Sequence, residues 1–239
     1  MTQHTVKVFD EELRTLSQLI AVMGGKVEKA LTDAIHALVR NDSSLAEFVI
    51  STDEAIDKAE RDIEEAGILT LAKRQPMAGD LREIVSAIKV SSDLERIGDL
   101  AKNIAKRVLV ISPPAIPHTT VLGLENMSER ALLQLKDVLD AYARRDIDLA
   151  LDVWTRDQEI DSMYNSVFRE LLTYMIEDPR MITGCTHLLF IAKNVERIGD
   201  HSTNIAENVH YLVTGDAISD ERPKRDTLGV NQLSKSGAE

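Results

Sequence analysis

The chain has 239 residues, of which 44% are hydrophobic, 28% charged and only 4% aromatic. Lys and Arg total 28 against 40 Asp and Glu, which gives a net charge of −12. An acidic chain without any basic run longer than a pair is a poor candidate for holding nucleic acid. The few glycines and prolines, 11 and 6, and the aliphatic composition favour helices packed on helices over many short strands.

The chain also lacks the signals of an exported or membrane-spanning protein. Its single cysteine, Cys185, excludes an intramolecular disulfide and a cysteine-based metal site. The stretch after Met1 is polar, so no signal peptide is predicted. The longest apolar runs, such as 108–111, are far shorter than a membrane span needs. We therefore expect a cytoplasmic protein that reaches a membrane only through partners.

Apolar residues recur every three or four positions in six stretches, which is typical of amphipathic helices. The predicted helices run at about 10–40, 44–74, 78–111, 121–145, 146–176 and 178–213. The inner face of the first is predicted to carry Leu13, Leu16, Ile20, Met23, Val27, Leu31, Ile35 and Leu38. The second should bury Ile50, Ile56, Ile63 and Leu69, and the third Leu94, Ala101, Ala105 and Val108.

Local signals mark where these helices begin, end and pack. The run 44–47 reads as a capping box that starts the second helix. Asp178 followed by Pro179 starts the sixth. Gly24 and Gly25 lie inside the first helix and indicate either the close approach of a neighbouring helix or a kink.

The second half of the chain repeats the first. The run 94–99 matches 195–200, and 103–105 matches 204–206, at an offset of 101 residues. Upstream the offset is 104, so 56–57 matches 160–161. The sequence therefore predicts an all-α fold of two tandem antiparallel three-helix bundles related by internal duplication. The predicted divisions are a first repeat at 1–112, a proline-rich linker at 113–120, a second repeat at 121–213 and a polar disordered tail at 214–239.

Acidic residues recur at the same positions in both copies. They form two ladders of oxygen-bearing side chains, Glu95, Asp99 and Asn103 in the first copy and Glu196, Asp200 and Asn204 in the second. Like charges at i and i+4 repel by roughly 0.2–0.5 kcal/mol on a helix surface, so each pair needs a compensating partner. A cation such as iron, manganese, magnesium or calcium would suit these ligands, with Asp57 and Asp161 contributing from neighbouring helices. The alternative is ion pairing with Lys102 and Lys193.

Other residues within the repeats suggest packing or contact rather than catalysis. Gly98 and Gly199 should mark close helix packing or leave room for ligands beside the acidic pair. Arg96 and Arg197 should face solvent, where they are candidate contacts for an anion or a partner. Ferritin-like di-iron enzymes need two Glu-x-x-His sequences, but the chain has one, at 207–210. With no nucleophile or nucleotide-binding motif, we do not expect an enzyme.

The repeated acidic motif resembles that of the PhoU family, the phosphate-specific transport accessory and regulatory proteins of bacteria. The family signature is an acidic residue, three others and then aspartate, once per repeat, and 95–99 and 196–200 both fit it. The runs 74–76, 88–89 and 196–201 are also similar to the sequences of the family. The likeness extends from about Asp10 to about Val213.

The resemblance implies a homodimer of paired three-helix bundles with iron, zinc, manganese or magnesium ions at the acidic motifs. It implies a negative regulator of the phosphate-starvation response that also modulates phosphate uptake. Such a protein would be an adaptor between the ATPase subunit of the phosphate ABC transporter and a sensor histidine kinase. The alternative is a metal-binding helical protein, either a di-metal carboxylate enzyme or a metal store.

Overall fold

The computed structural model describes residues 2–111 and 118–218, with side chains described at 9–111 and 120–218. These residues form six α-helices and no strand. The helices are α1 (Thr2–Arg40), α2 (Ser43–Arg74), α3 (Gly79–Val108), α4 (His118–Arg144), α5 (Ile147–Glu177) and α6 (Ile182–Thr214), and a short 3-10 helix at Pro179–Met181 precedes α6. The prediction of an all-α fold is confirmed.

Aspartates cap the second helix of each bundle at equivalent positions. Asp42 accepts a hydrogen bond from the Leu45 N–H at 3.0 Å, and Asp146, 104 residues later, accepts one from the Leu149 N–H at 3.0 Å. The predicted capping box at 44–47 is therefore wrong, because the Asp42 carboxylate already satisfies the free amide and α2 starts one residue earlier. The predicted cap at Asp178 is confirmed, although it opens the 3-10 helix rather than α6 itself.

The predicted core faces are buried with few exceptions. All eight residues expected on the inner face of α1 are buried, as are the four expected on α3. On α2, Ile56 and Ile63 are buried and Ile50 is half-buried. Leu69 is 45% exposed, so that prediction is wrong. The chain there turns Gly67 inward instead, where a side chain would meet Ile88 of α3 at 2.9 Å.

The two bundles join through two pairs of helices, α3 with α6 and α1 with α4. The helices α3 and α6 are antiparallel, and two cation–aromatic contacts join them. The Lys89 ammonium lies 5.7 Å from the Tyr211 ring centroid, and the Arg107 guanidinium lies 4.0 Å from that of Phe190. We call this contact between α3 and α6 the central seam.

Glycines let neighbouring helices approach closely, as the sequence predicted. A Cβ on Gly24 would lie 2.8 Å from Leu139 of α4, so the interpretation of a close helix approach is confirmed there. Within the bundles, Ile56 of α2 lies against Gly98, and Ile160 of α5 lies against Gly199, each 3.1 Å from an added Cβ. The duplication therefore repeats this contact in both bundles.

Parts of the predicted organisation fall outside the described residues, namely 112 at the end of the first repeat, 113–117 of the linker and 219–239 of the tail. The helix α4 begins at His118, so the last three residues of the predicted linker are helical. Gly215, at φ 86°, caps α6. Within residues 2–111 and 118–218, no helical segment combines the length and apolar character that a membrane crossing requires.

The contrast between Gly24 and Gly25 yields a stability prediction. Gly24→Leu should lower the free energy of unfolding by about 1–3 kcal/mol, because the new side chain must displace Leu139 between α1 and α4. Gly25→Leu should raise it by about 0.5–1 kcal/mol, since an added Cβ meets no side chain or neighbouring helix within 4 Å and leucine has the higher helix propensity. Urea unfolding followed by circular dichroism measures both. Changes of the same sign would contradict the close packing of α1 on α4 at Gly24.

Candidate functional site

The first acidic cluster lies between α2 and α3. Glu95 and Asp99 lie on α3, close enough to Asp57 and Glu60 of α2 to interact electrostatically. Burial is the largest cause that raises the pKa of Glu95, and the negative charges of the other three carboxylates add to it. The positive charge of Arg96 offsets part of that effect. The structure therefore brings the predicted Asp57 to the repeated acidic pair.

Lys102 of α3 is paired with aspartates on both helices. Its ammonium donates a hydrogen bond to Asp53 of α2 and lies 3.4 Å from Asp99 Oδ1. Asp53 is only 7% exposed at its side chain, and its hydrogen bond raises the pKa of Lys102. The sequence interpretation of ion pairing for Lys102 is thus what the side chains show, with Asp53 as an additional and more buried partner.

The second acidic cluster lies between α5 and α6 and is more deeply buried. Glu196 is 8% exposed and its Oε1 accepts a hydrogen bond from Lys193 at 2.7 Å. Its Oε2 is buried without a hydrogen-bond partner. Burial above all raises the pKa of Glu196, the charges of Asp200 and Asp161 add to this, and Lys193 opposes it. The predicted Asp161 therefore contributes to the second cluster as Asp57 does to the first.

The equivalents of Asp53 and Lys102 in the second bundle are Asp157 and Thr203. Asp157 is buried and accepts a hydrogen bond from Gln134 of α4 at 3.3 Å. Its Oδ1 lies only 2.8 Å from the position of a Cβ on Gly199. Neither aspartate was predicted as a site residue, although their separation of 104 residues is the offset that matches Asp57 to Asp161.

The two predicted asparagine ligands differ in their surroundings. Asn103 is exposed. Asn204 donates a hydrogen bond to Asp93 Oδ1 across the central seam at 3.2 Å, and His201 contacts the same oxygen at 2.9 Å. The structure therefore brings together Glu95, Asp99 and Asp57, and separately Glu196, Asp200 and Asp161, but turns Asn204 towards α3.

The remaining candidate residues are placed as the sequence suggested. Arg96 and Arg197 are exposed. Cys185 is buried, and burial raises the pKa of its thiol, so it is a poor nucleophile. Among the described residues, no three or more His, Cys, Asp or Glu side chains are oriented together so that they could hold a metal ion.

The protein is thus an all-helical protein of two similar three-helix bundles, with an acidic pair on the third helix of each. The chain belongs to the PhoU family, because the sequence profile of the PhoU domain matches it twice, at residues 20–108 and 124–209. Both matched segments fall within the two helical bundles.

Relatives and solved structures agree with this membership. The phosphate-specific transport system accessory protein PhoU homolog of Rhizobium meliloti is 56% identical over 229 residues, covering 95% of this chain and 97% of the relative. The fold is similar to a crystal structure of PhoU from Pseudomonas aeruginosa, with a TM-score of 0.81 and 42% identity over 87% of this chain and 100% of that one. The phosphate transport system regulatory protein PhoU from Streptococcus pneumoniae gives a TM-score of 0.82 and 32% identity, covering 88% and 99% of the two chains.

The raised pKa of Glu95 predicts how stability depends on pH. Ionising Glu95 destabilises the fold as the pH rises through its folded-state pKa, and glutamine does not ionise. Glu95→Gln should therefore raise the free energy of unfolding at pH 7. The gain should vanish below about pH 4.3, the ordinary glutamate pKa, where Glu95 is protonated in both states. Urea unfolding between about pH 4 and 8, with a chelator present, measures this.

The control for this experiment is Glu54→Gln, which changes an exposed glutamate on α2. Its effect should be small at every pH, since surface substitutions usually change stability by less than about 0.5 kcal/mol. A loss of stability in Glu95→Gln at pH 7 would show that Glu95 is better stabilised in the fold than its surroundings indicate.

Proposed function

We propose that this chain is a regulatory accessory protein of a phosphate transport system. The observation that carries the proposal is similarity to proteins of that name over nearly the whole length of both chains. The Rhizobium meliloti relative and one from Caulobacter vibrioides, at 56% and 49% identity, each match 95% of this chain and nearly all of their own length. Similarity over nearly the whole of both chains favours a shared role, whereas similarity confined to one domain would not.

Within that role, we propose negative regulation of the phosphate-starvation response by a homodimeric, non-enzymatic adaptor. It would act in the cytoplasm, contacting the ATPase subunit of the phosphate ABC transporter and a sensor histidine kinase. The duplicated fold supports this, because it presents two similar helical surfaces with exposed arginines at equivalent positions, Arg96 and Arg197. Arginine is well suited to bind carboxylates on a partner, since its guanidinium can donate two parallel hydrogen bonds.

Deleting the gene tests the regulatory proposal. Phosphate-responsive genes should become active in high phosphate, and the wild-type chain supplied in trans should silence them again. A reporter fused to such a promoter measures this. Continued repression in the deletion strain would contradict the proposal.

Complementation with variants tests the arginine surface. Arg96→Glu with Arg197→Glu should restore repression poorly, because the reversed charges repel an acidic partner. Lys58→Glu is the control, since Lys58 is an exposed side chain in a surface ion pair that contributes at most about 1 kcal/mol. Equal repression by all variants, at equal protein levels, would exclude these arginines as contacts.

A second property, divalent metal binding, is favoured by one observation in the second bundle. The unpartnered, buried Oε2 of Glu196 is a ligand atom that a cation would satisfy. We propose that Glu196, Asp200 and Asp161 would hold such an ion, which would neutralise their charges and tie α5 to α6. Small side-chain rotations would be required, since the described carboxylates do not form an ion cage as they lie.

Equilibrium dialysis of chelator-treated protein against Mn²⁺, followed by elemental analysis, tests metal binding. We expect about one ion or more per chain in the wild type, and at least tenfold weaker binding in Glu196→Gln with Asp200→Asn. Glu54→Gln should bind as the wild type does. Failure of the wild type to bind Mn²⁺, Mg²⁺, Zn²⁺ or Fe²⁺ would refute the proposal, and ions in large excess over the chains would favour a metal store.

A further inference from the structure

The two acidic clusters are related by duplication, but their positive charges are placed differently. From this difference, we infer that the Lys102 ammonium is a built-in cation that fills the first cluster, so that only the second cluster takes up a divalent metal ion. The inference rests on the metal binding proposed above and adds which repeat carries it.

Lys102 is held in the first cluster by two helices. Its ammonium donates a hydrogen bond to Asp53 of α2 and lies 3.4 Å from Asp99 of α3. The Lys102 side chain is 25% exposed. Releasing it would leave Asp53 buried and without this cationic partner. A divalent ion entering between α2 and α3 would therefore have to displace an internal cation, or accept its repulsion at close range.

The second cluster has no lysine at this position. Thr203 replaces Lys102, and its hydroxyl donates to the backbone carbonyl of Asp200 at 2.7 Å. Gln134 replaces Ala30 of the first bundle and donates to Asp157, the equivalent of Asp53. The deeper aspartate thus accepts a hydrogen bond from a neutral amide in the second bundle and from an ammonium in the first.

Lys193 does not fill the second cluster in the way that Lys102 fills the first. It bonds Glu196 Oε1 at 2.7 Å, but its side chain is 45% exposed and lies three residues away on the same helix. Glu196 Oε2 remains without a hydrogen-bond partner despite this bond. A lysine at the solvent edge can swing out into water when a metal ion binds, whereas Lys102 is tied to a buried carboxylate on another helix.

The duplication supplies matched variants for the test. Ala30→Gln with Lys102→Thr gives the first bundle the residues of the second, and Gln134→Ala with Thr203→Lys does the reverse. The measurement is Mn²⁺ bound per chain by equilibrium dialysis of the full chain. We expect about one ion in the wild type, about two in the first double variant and fewer than about 0.2 in the second.

Single substitutions of glutamate by glutamine, which keep the shape of the side chain, locate the ion in case a double variant fails to fold. Glu196→Gln should weaken Mn²⁺ binding at least tenfold, and Glu95→Gln should change it less than twofold. Circular dichroism confirms that each variant is helical. Mn²⁺ should also raise the unfolding temperature of the wild type but not that of Glu196→Gln.

The outcomes separate this inference from the proposal on which it depends. Two ions per wild-type chain, or equal losses in Glu95→Gln and Glu196→Gln, would overturn the role of Lys102 while leaving metal binding intact. An unchanged stoichiometry in folded double variants would overturn it too. No bound ion in the wild type or any variant would remove metal binding itself, and the inference with it.

Discussion

The contact between a branched side chain and a glycine positions both acidic clusters. Ile56 lies against Gly98 and Ile160 against Gly199, so the second and third helices of each bundle approach closely at one point. Asp57 and Asp161 each follow the isoleucine directly, and the paired acids of the third helix lie on either side of the glycine. Packing by dispersion and burial thus fixes which carboxylates face each other, even though they repel.

The repulsion is compensated by different groups in the two bundles. In the first, Lys102 bridges both helices; in the second, Lys193 bonds a neighbour on its own helix and Gln134 bonds the deeper aspartate. A duplicated backbone has therefore kept its acidic residues and changed their counterions. Buried carboxylates constrain such changes, because removing one partner without supplying another leaves a costly unpaired group.

Much of this fold could be predicted from the sequence, because the apolar period and the duplication are both explicit in it. The period placed six helices and nearly all of the core, and failed at Leu69, where the register of α2 turns a glycine inward instead. The cap at Asp42 was missed because two serines follow it and mimic a cap. Helix ends depend on which of several adjacent oxygens reaches a free amide, and sequence alone seldom decides this.

The acidic clusters were predictable as pairs but not in their surroundings. Spacing along one helix predicted that Asp99 lies beside both Glu95 and Lys102, because residues three and four apart share a face. The bond from Lys102 to Asp53 and the turn of Asn204 towards Asp93 depend on how neighbouring helices are aligned. The repeat offset did contain the signal for Asp53 and Asp157, and reading it residue by residue would have found them.

The central seam makes the two halves of the chain non-interchangeable. Its cations, Lys89 and Arg107, both come from α3, and its rings, Tyr211 and Phe190, both come from α6. If two α3 helices met in the same antiparallel arrangement, Lys89 of each would approach Arg107 of the other, and like charges would repel. The seam therefore joins α3 to α6 in preference to a second α3, so that the two halves pair with each other rather than with copies of themselves.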